Sequence, residues 1–523
     1  MSRSRTWEAA VNGAASLGIN FGTIALGIAC TPPIVAALGL HAYGLWALYS
    51  SIAVYFTLTD FGFGATFVKS IAEYHTKNEI LRVRQVITFG LLLYVALGAV
   101  LVPAVAFLAP KVDALFRIDP EVVAEAPRLL VAVALYAVLS NAFNVFGQAL
   151  IGTGSMRTVS AAGLWSGAVF YAVALVLLHE GLGIDALIVA TFARLAVLTL
   201  QTYVHARREL GPLFCSPLAF EAGVIRYQFR MGAWIQVSNI CSTINNEIGR
   251  FLVGALISVS SVSYFDVATR LTRTARGLPM NFSNALLPAM ASLDAAGGGA
   301  RMNSVYGQAN RLFMMATALL LGVVAGGAAP IMRLWMGPGF EPAAVVAVLL
   351  CATYFVGNLA IVGSTLLRAV AKPHYETYYG LINAATNVAA TLAFVRWFGL
   401  YGVAGGMLAG TIAGQIYFTW LFHRAQGTSV RDGLLGWIWK ICAAAAVGIS
   451  LDAAIRALPV WNAHSGRGGA LLEVAATASV YVAAFAATLA VLRFFRKEEL
   501  RKLWSALHLG GEKSMPLPAA ATQ

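Results

Sequence analysis

Three arginines, Arg270, Arg273 and Arg276, stand within seven residues of one another in the stretch YFDVATRLTRTARGLPMNF, which runs from Tyr264 to Phe282. Long apolar segments flank them on both sides. A guanidinium group is always charged, and its planar fork matches phosphate two hydrogen bonds at a time, which lysine does not. Three such groups in apolar surroundings point to an anionic, phosphate-bearing ligand. The preceding segment, GAWIQVSNICSTINNEIGRFLVGAL, supplies Gln236, Asn239, Thr243, Asn246 and Arg250 at spacings of 3, 4, 3 and 4, which places them on one helix face, with Glu247 beside them. Asp266 shares a face with Arg270 and Arg273, and Asn281 and Asn284 lie beyond Arg276.

Other apolar segments carry polar residues in similar patterns. Asn141, Asn144 and Gln148 follow at 3 and 4; Asn358, Thr365 and Arg368 form another group, as do Asn383 with Asn387, and Asn12, Ser16, Asn20 and Thr23. Two blander readings stand beside the binding one. Ser, Thr and Asn often join membrane helices by hydrogen bonds, and an arginine such as Arg276 or Arg301 can extend to a headgroup layer. Internal ion pairs, Arg250 with Glu247 and Asp266 with Arg270, are a further alternative, although the arginines outnumber the acids. On the binding reading the substrate residues are Arg250, Arg270, Arg273, Arg276, Arg368, Asn246, Asn144 and Gln148. Asp60, Glu247 and Asp266 are candidates for coupling transport to an ion. Asp60, in TLTDFGFG, is equally readable as a helix cap at a glycine break.

The elements that must hold these residues are membrane spans. The chain has 523 residues, 59% hydrophobic and 11% charged, with a mean hydropathy of +0.74. Soluble domains carry roughly 25% charged residues, and a span needs about 20 apolar residues. About fourteen such segments follow one another, roughly at 11–38, 42–74, 84–108, 122–151, 155–178, 184–206, 228–257, 259–292, 305–333, 341–370, 374–397, 401–424, 436–458 and 469–494. The first is too long for a signal peptide. The net charge of +13 follows topology rather than nucleic-acid binding. Lys77, Arg82 and Arg84, then Arg157, Arg207, Arg208, Arg226 and Arg230, then Arg301, Lys372, Arg424 and Arg431 fall in alternate connections, which places both termini in the cytoplasm. Five scattered cysteines indicate neither disulfides nor a metal site, and no cofactor motif occurs.

The chain also repeats. YAVLSNAFNVFGQALIGTG from Tyr136 and YFVGNLAIVGSTLLRAVAK from Tyr354 lie 218 residues apart, and GLGIDALIVATFARL from Gly181 is answered by GLYGVAGGMLAGTIA from Gly399. A repeat of six spans keeps its orientation in the membrane, as in parallel-repeat secondary transporters. The expected architecture is therefore an all-α polytopic membrane protein with two parallel six-helix repeats around a central cavity. Its units are residues 1–226, 227–430, two added helices over 431–495, and a cytoplasmic tail over 496–523. DFGFG at 60–64 and Pro279 weaken the second span of each half at corresponding places.

GLHAYGLWALYSSIAVYFTLTDFGFGATFVKSIAEY, together with NNEIGRFLVGALISVSSVSYFDVATRLTRTARGLPMNFSNALLPAMASL, resembles the bacterial oligosaccharide–lipid flippases. These form the O-antigen and exopolysaccharide type of the multidrug/oligosaccharidyl-lipid/polysaccharide exporter superfamily. The resemblance covers about residues 10–425. It implies two six-helix bundles alternating access so that a polyprenyl-diphosphate-linked oligosaccharide crosses the bacterial inner membrane. It further implies that a cationic cavity formed here by Arg250, Arg270, Arg273, Arg276 and Arg368 takes the diphosphate. The lipid II flippases, a sister family, carry charged residues in the first span; INFGTIALGIACTPPIV has none. The partners implied are the lipid-linked oligosaccharide, membrane lipids, and polysaccharide polymerase and export machinery.

Two other functions compete. A multidrug exporter of the same fold is expected to have acidic and aromatic cavity walls. A membrane enzyme of polysaccharide assembly needs a large extracytoplasmic loop, and the connections are short. Motifs for ATP binding and for hydrolytic chemistry are missing from the sequence.

Overall fold

The computed structural model describes residues 2–60, 62–216, 220–295, 299–369, 374–426, 434–457 and 467–495. They are helical almost throughout, with no strand among them. Hydrocarbon offers no partner to a free backbone N–H or C=O, and a helix satisfies both internally. The first helices are α1 Ser2–Thr57, α2 Phe63–Thr76, α3 Ile80–Leu108, α4 Ala126–Gly152, α5 Met156–His179 and α6 Ile184–Leu210. Next come α7 Ala222–Leu256, α8 Val259–Ala295, α9 Gly299–Gly326, α10 Ala328–Met336, α11 Glu341–Asn358 and α12 Ile361–Ala369. The last four are α13 His374–Phe398, α14 Leu400–Gln426, α15 Gly436–Arg456 and α16 Arg467–Val491.

These helices make fourteen runs, one for each span read from the sequence. Helix α1 supplies the first run and the start of the second; it is divided at Gly39, whose φ of 74° is left-handed and favours glycine. Helices α9 and α10 share one run, and so do α11 and α12. Nine helices among the described residues are long and apolar enough to cross a membrane.

The second run is broken at DFGFG: a 3-10 turn over Leu58–Asp60 gives way to Gly62, which begins α2 with φ 72°. Its expected counterpart is not realised, because α8 remains helical through Pro279. Proline removes a single backbone donor, and neighbouring elements in a membrane bundle compensate for it. The break in the second half falls instead at Leu359–Ala360, between α11 and α12. There the backbone tightens to bonds from Leu359 N–H to Val356 O and from Ala360 N–H to Gly357 O, at 3.1 and 3.3 Å.

Packing differs between the two ends of the molecule. At the end carrying residues 112–122, one continuous core joins Tyr43, Leu45 and Leu48 of α1, Leu129 of α4 and Leu187 of α6 to Val253 of α7, Phe265 of α8, Leu350 of α11 and Val403 of α14. At the opposite end the described residues form two separate cores. One gathers Phe67, Ile87, Phe146 and Leu210; the other gathers Phe313, Leu366, Phe418, Ile441 and Tyr481, which ties α15 and α16 to the second set of helices. Among the described residues the two sets share one core at the Asp119 end and have separate cores at the other, where α7 still meets the first set through Gln228 and Ser70 at 2.8 Å and through the Phe63 and Phe229 rings.

Candidate functional site

Where the two sets meet, the polar faces of α7 and α8 form an ion-pair ribbon. Arg250 Nη1 lies 2.8 Å from Glu247 Oε2, and Arg273 Nη1 lies 3.1 Å from Glu247 Oε1. Asp266 holds Arg270 Nε at 2.7 Å and faces Arg250 Nε at 3.1 Å. The latter is an ion pair without an aligned hydrogen bond. The carboxylates are the buried members: the Asp266 and Glu247 side chains are 2% and 7% exposed, against 36% for Arg270 and 33% for Arg273. Three guanidinium groups therefore share two carboxylates, and the surplus charge is on the side that meets open space. Buried carboxylates of this kind need partners because an unpaired charge in a low-dielectric interior is strongly disfavoured. Arg273 Nη2 also donates to the Asn246 backbone carbonyl at 2.5 Å.

Arg276 stands outside the ion pairs. Its Nε donates to Asn358 Oδ1 at 3.1 Å, and its guanidinium lies 4.8 Å from the centre of the Tyr354 ring. Asn358, fully buried, passes the contact on by donating to Thr317 Oγ1 at 3.3 Å. Arg276 is thus held by an amide and an aromatic face within the helices, rather than turned toward a headgroup layer.

Two cavities border the ribbon, and a further one borders Arg276. A cleft between the sets is lined by Val54 of α1 and by Thr243, Asn246, Glu247, Arg273 and Arg276. A second cavity of about 370 Å³ lies within the second set, with Asn245, Arg276, Tyr354, Tyr379, Asn383 and Asn387 on its walls. A third, of about 360 Å³, lies within the first set, walled by Trp46, Tyr136, Tyr171 and Phe192, with Arg194 and Arg270 at its edge. Asn246 is exposed at the cleft, and Arg270 and Arg273 are partly exposed beside it.

The network is latched at the Asp119 end. Tyr43 of α1 donates to Asp266 Oδ2 at 2.6 Å, and Ser263 of α8 donates to the Leu40 carbonyl at 2.6 Å. Gly44 allows that approach, because a Cβ there would overlap the Val259 carbonyl. Arg117 bridges backbone to backbone: its N–H donates to Gly254 O and its C=O accepts from Val259 N–H, at 3.1 and 3.2 Å. Asp119 accepts from Ser260 N–H at 3.0 Å and pairs with His41 Nδ1 at 3.0 Å, while Glu121 lies 3.7 Å from His41 Nε2. The close carboxylate of Asp119, aided by the charge of Glu121, holds the His41 imidazole above its ordinary pKa against partial desolvation.

Of the residues selected from the sequence, Arg250, Arg270, Arg273, Arg276, Asn246, Glu247 and Asp266 come together. Asn144 and Gln148 do not join them. Asn144 is exposed on α4, and Gln148 is buried against Gly64 at the break in the second run. Asp60 is at the same break, where its carboxylate accepts the Gly64 N–H at 3.1 Å and the Tyr94 hydroxyl. The side chains of Arg368, Arg301, Asn239, Asn281 and Asn284 lie outside the described residues, as do those of Asn12, Ser16 and Asn20. Sequence reasoning missed Arg194, Tyr354, Tyr379 and Asn245. Arg194 was visible as a lone arginine within an apolar run; the tyrosines carry no such signal.

Helices of this number, with a polar seam between two sets, define an all-helical polytopic membrane fold. The chain belongs to the polysaccharide biosynthesis protein family, whose model matches residues 10–294. Among curated proteins it is similar to the uncharacterized membrane protein EpsK of Bacillus subtilis (strain 168), at 22% identity over 466 residues, 84% of this chain and 90% of EpsK. Among solved structures it is similar to the lipid II flippase MurJ in an inward closed conformation, with a TM-score of 0.69 at 15% identity over 91% of this chain and 99% of that one. A multidrug-resistance transporter of the MATE family, a member of the MOP superfamily, matches in its inward-facing conformation with a TM-score of 0.63 at 15% identity, covering 81% of this chain and 99% of that one. The resemblance read from the sequence therefore holds for the family and for the all-helical membrane fold.

Proposed function

We propose that this protein is a flippase that carries a polyprenyl-diphosphate-linked oligosaccharide from the cytoplasmic to the periplasmic leaflet of a bacterial inner membrane. The observation that carries this reading is the guanidinium surplus of the α7–α8 ribbon, together with Arg276, beside three cavities. The cation-rich cleft suits a diphosphate, and amide- and aromatic-walled spaces on either side suit saccharide units. Family membership supports a role in polysaccharide biosynthesis, and the MurJ fold is compatible with a lipid-linked cargo.

In this reading residues 1–226 and 227–430 are the two moving bundles, the region over 431–495 is an appendage, and both termini are cytoplasmic. The Asp119 end, where the two sets share a core, is then periplasmic, and a substrate enters from the cytoplasmic end. Transport exchanges the latch at Tyr43, Ser263, Arg117 and Asp119 for contacts at the other end. The chain's part is to bind, shield and reorient a charged headgroup, which is transport rather than bond-making chemistry. A multidrug exporter of the same fold would need cavity acids for cationic cargo; Glu247 and Asp266 are instead engaged by arginines.

Native mass spectrometry of protein gently extracted from its host tests the reading. A co-purifying polyprenyl-diphosphate oligosaccharide, depleted in Arg276→Gln, is the expected result. Bulk phospholipid alone, in both proteins, would count against it.

A further inference from the structure

Arg194 is a charge whose role neither the ion-pair ribbon nor the latch explains. It lies on α6, ten residues in from Ile184, about 15 Å along the helix, near the middle of a hydrocarbon layer about 30 Å thick. Tyr136 is also ten residues in from the same end of the molecule, on α4, and Arg270 eleven residues in, on α8. Equal rise per residue brings the three to a similar depth. The Arg194 side chain is exposed and lines the cavity of the first helix set. Among the described residues it makes no hydrogen bond or ion pair. A charged group at that depth is costly and is retained where it faces a wet cavity or a ligand.

The walls opposite it have their own chemistry. Trp46, Tyr136, Tyr171 and Phe192 surround a volume of about 360 Å³, and the Tyr136 and Phe192 rings meet edge to face, 6.4 Å between centres at 90°. That volume lies in the ~300–1,000 Å³ range of small-ligand sites. A purely apolar ligand would leave Arg194 unpaired and the outer nitrogens of Arg270, whose Nε is held by Asp266, unused, and an inorganic anion would leave the rings unused. A pyranose bearing an anionic group uses both. Its C–H face packs on rings whose faces are electron-rich, and its anion takes the guanidinium forks.

We propose that this cavity is a second ligand subsite, specific for an anionic saccharide group, in which Arg194 and Arg270 bind the anion and the aromatic side chains receive the sugar ring. The proposal deepens the flippase reading and rests on it for the source of the sugar. The anion has two possible sources: the phosphate joining the first sugar to the lipid, or a carboxylate on a uronic acid within the oligosaccharide.

The test is saturation-transfer NMR on the full chain in nanodiscs, with glucose 1-phosphate, glucuronic acid and glucose as probes. Wild type should saturate one or both anionic probes, with glucose much weaker. Arg194→Gln should reduce the anionic signal about tenfold and leave thermal unfolding unchanged, since the side chain touches no partner. Arg194→Lys should recover only part of it, because lysine lacks the fork. Preference for glucose 1-phosphate assigns the linking phosphate, and preference for glucuronic acid assigns the carboxylate. Equal signals for wild type and Arg194→Gln, or equal signals for glucose and both anions, would overturn the subsite. Vesicle translocation of a lipid-linked oligosaccharide, measured on the same proteins, separates the two claims. Translocation with an unresponsive Arg194 defeats the subsite alone, whereas Arg194-dependent probe binding without translocation defeats the flippase reading alone.

Discussion

Asp266 holds two guanidinium groups and the Tyr43 hydroxyl at once, while itself 2% exposed. Removing one partner of a buried pair leaves an uncompensated charge and costs about 3–5 kcal/mol. Asp266→Asn should therefore lower the melting temperature markedly, and Asp266→Asn combined with Arg250→Gln should lose less than the sum of the single changes. Thermal unfolding in detergent gives the cycle, and strict additivity would show that the pair is not coupled. His41 makes a pH-dependent contribution. Its pKa is raised when it is latched to Asp119, so the protonated pair contributes fully below the ordinary value of about 6.5 and is lost as pH rises through the raised one. Spin-label distances across the Asp119 end should lengthen as pH rises through that window in wild type. They should show little pH dependence in His41→Gln, and an unchanged pH profile in that variant would remove His41 from the latch.

At the scale of elements, the break between α1 and α2 is where one carboxylate has two readings. Asp60 accepts the Gly64 N–H and the Tyr94 hydroxyl, which is the work of a cap, and coupling to a proton is the other possibility. The two readings separate experimentally. Asparagine can still accept both bonds, so a structural cap predicts that Asp60→Asn keeps near-native stability while Asp60→Ala loses about 1 kcal/mol. A coupling residue predicts that Asp60→Asn folds normally but transports with no pH dependence. The α7–α8 pair was readable from the sequence because residues three and four apart share a helix face, and that rule offered the Glu247–Arg250 and Asp266–Arg270 contacts as an alternative to ligand binding. It was silent on Arg273 reaching back to Glu247, on Tyr43 meeting Asp266 from 223 residues away, and on Arg276 settling over Tyr354. Those depend on how helices distant in sequence pack, and no local period encodes that. Pro279 misled for the opposite reason: its local preference for a break gave way to the surrounding bundle.

For the whole molecule, fourteen helical runs were legible because lipid imposes length, apolarity and internal hydrogen bonding on every span. Which end shares a core was not legible. Among the described residues one core is shared at the Asp119 end and two are separate at the other, a property of packing between helices rather than of any one of them. The central claim is that the chain moves a diphosphate-linked oligosaccharide between leaflets through the cleft bordered by Arg273 and Arg276. It is tested most directly in vesicles loaded on one side with a short polyprenyl-diphosphate oligosaccharide, with exposure on the other side read by a membrane-impermeant glycosidase. The account predicts protein-dependent exposure that falls at least tenfold when Arg273 and Arg276 are both changed to Gln. Exposure at the rate of empty vesicles, or an unaffected double variant, would contradict it.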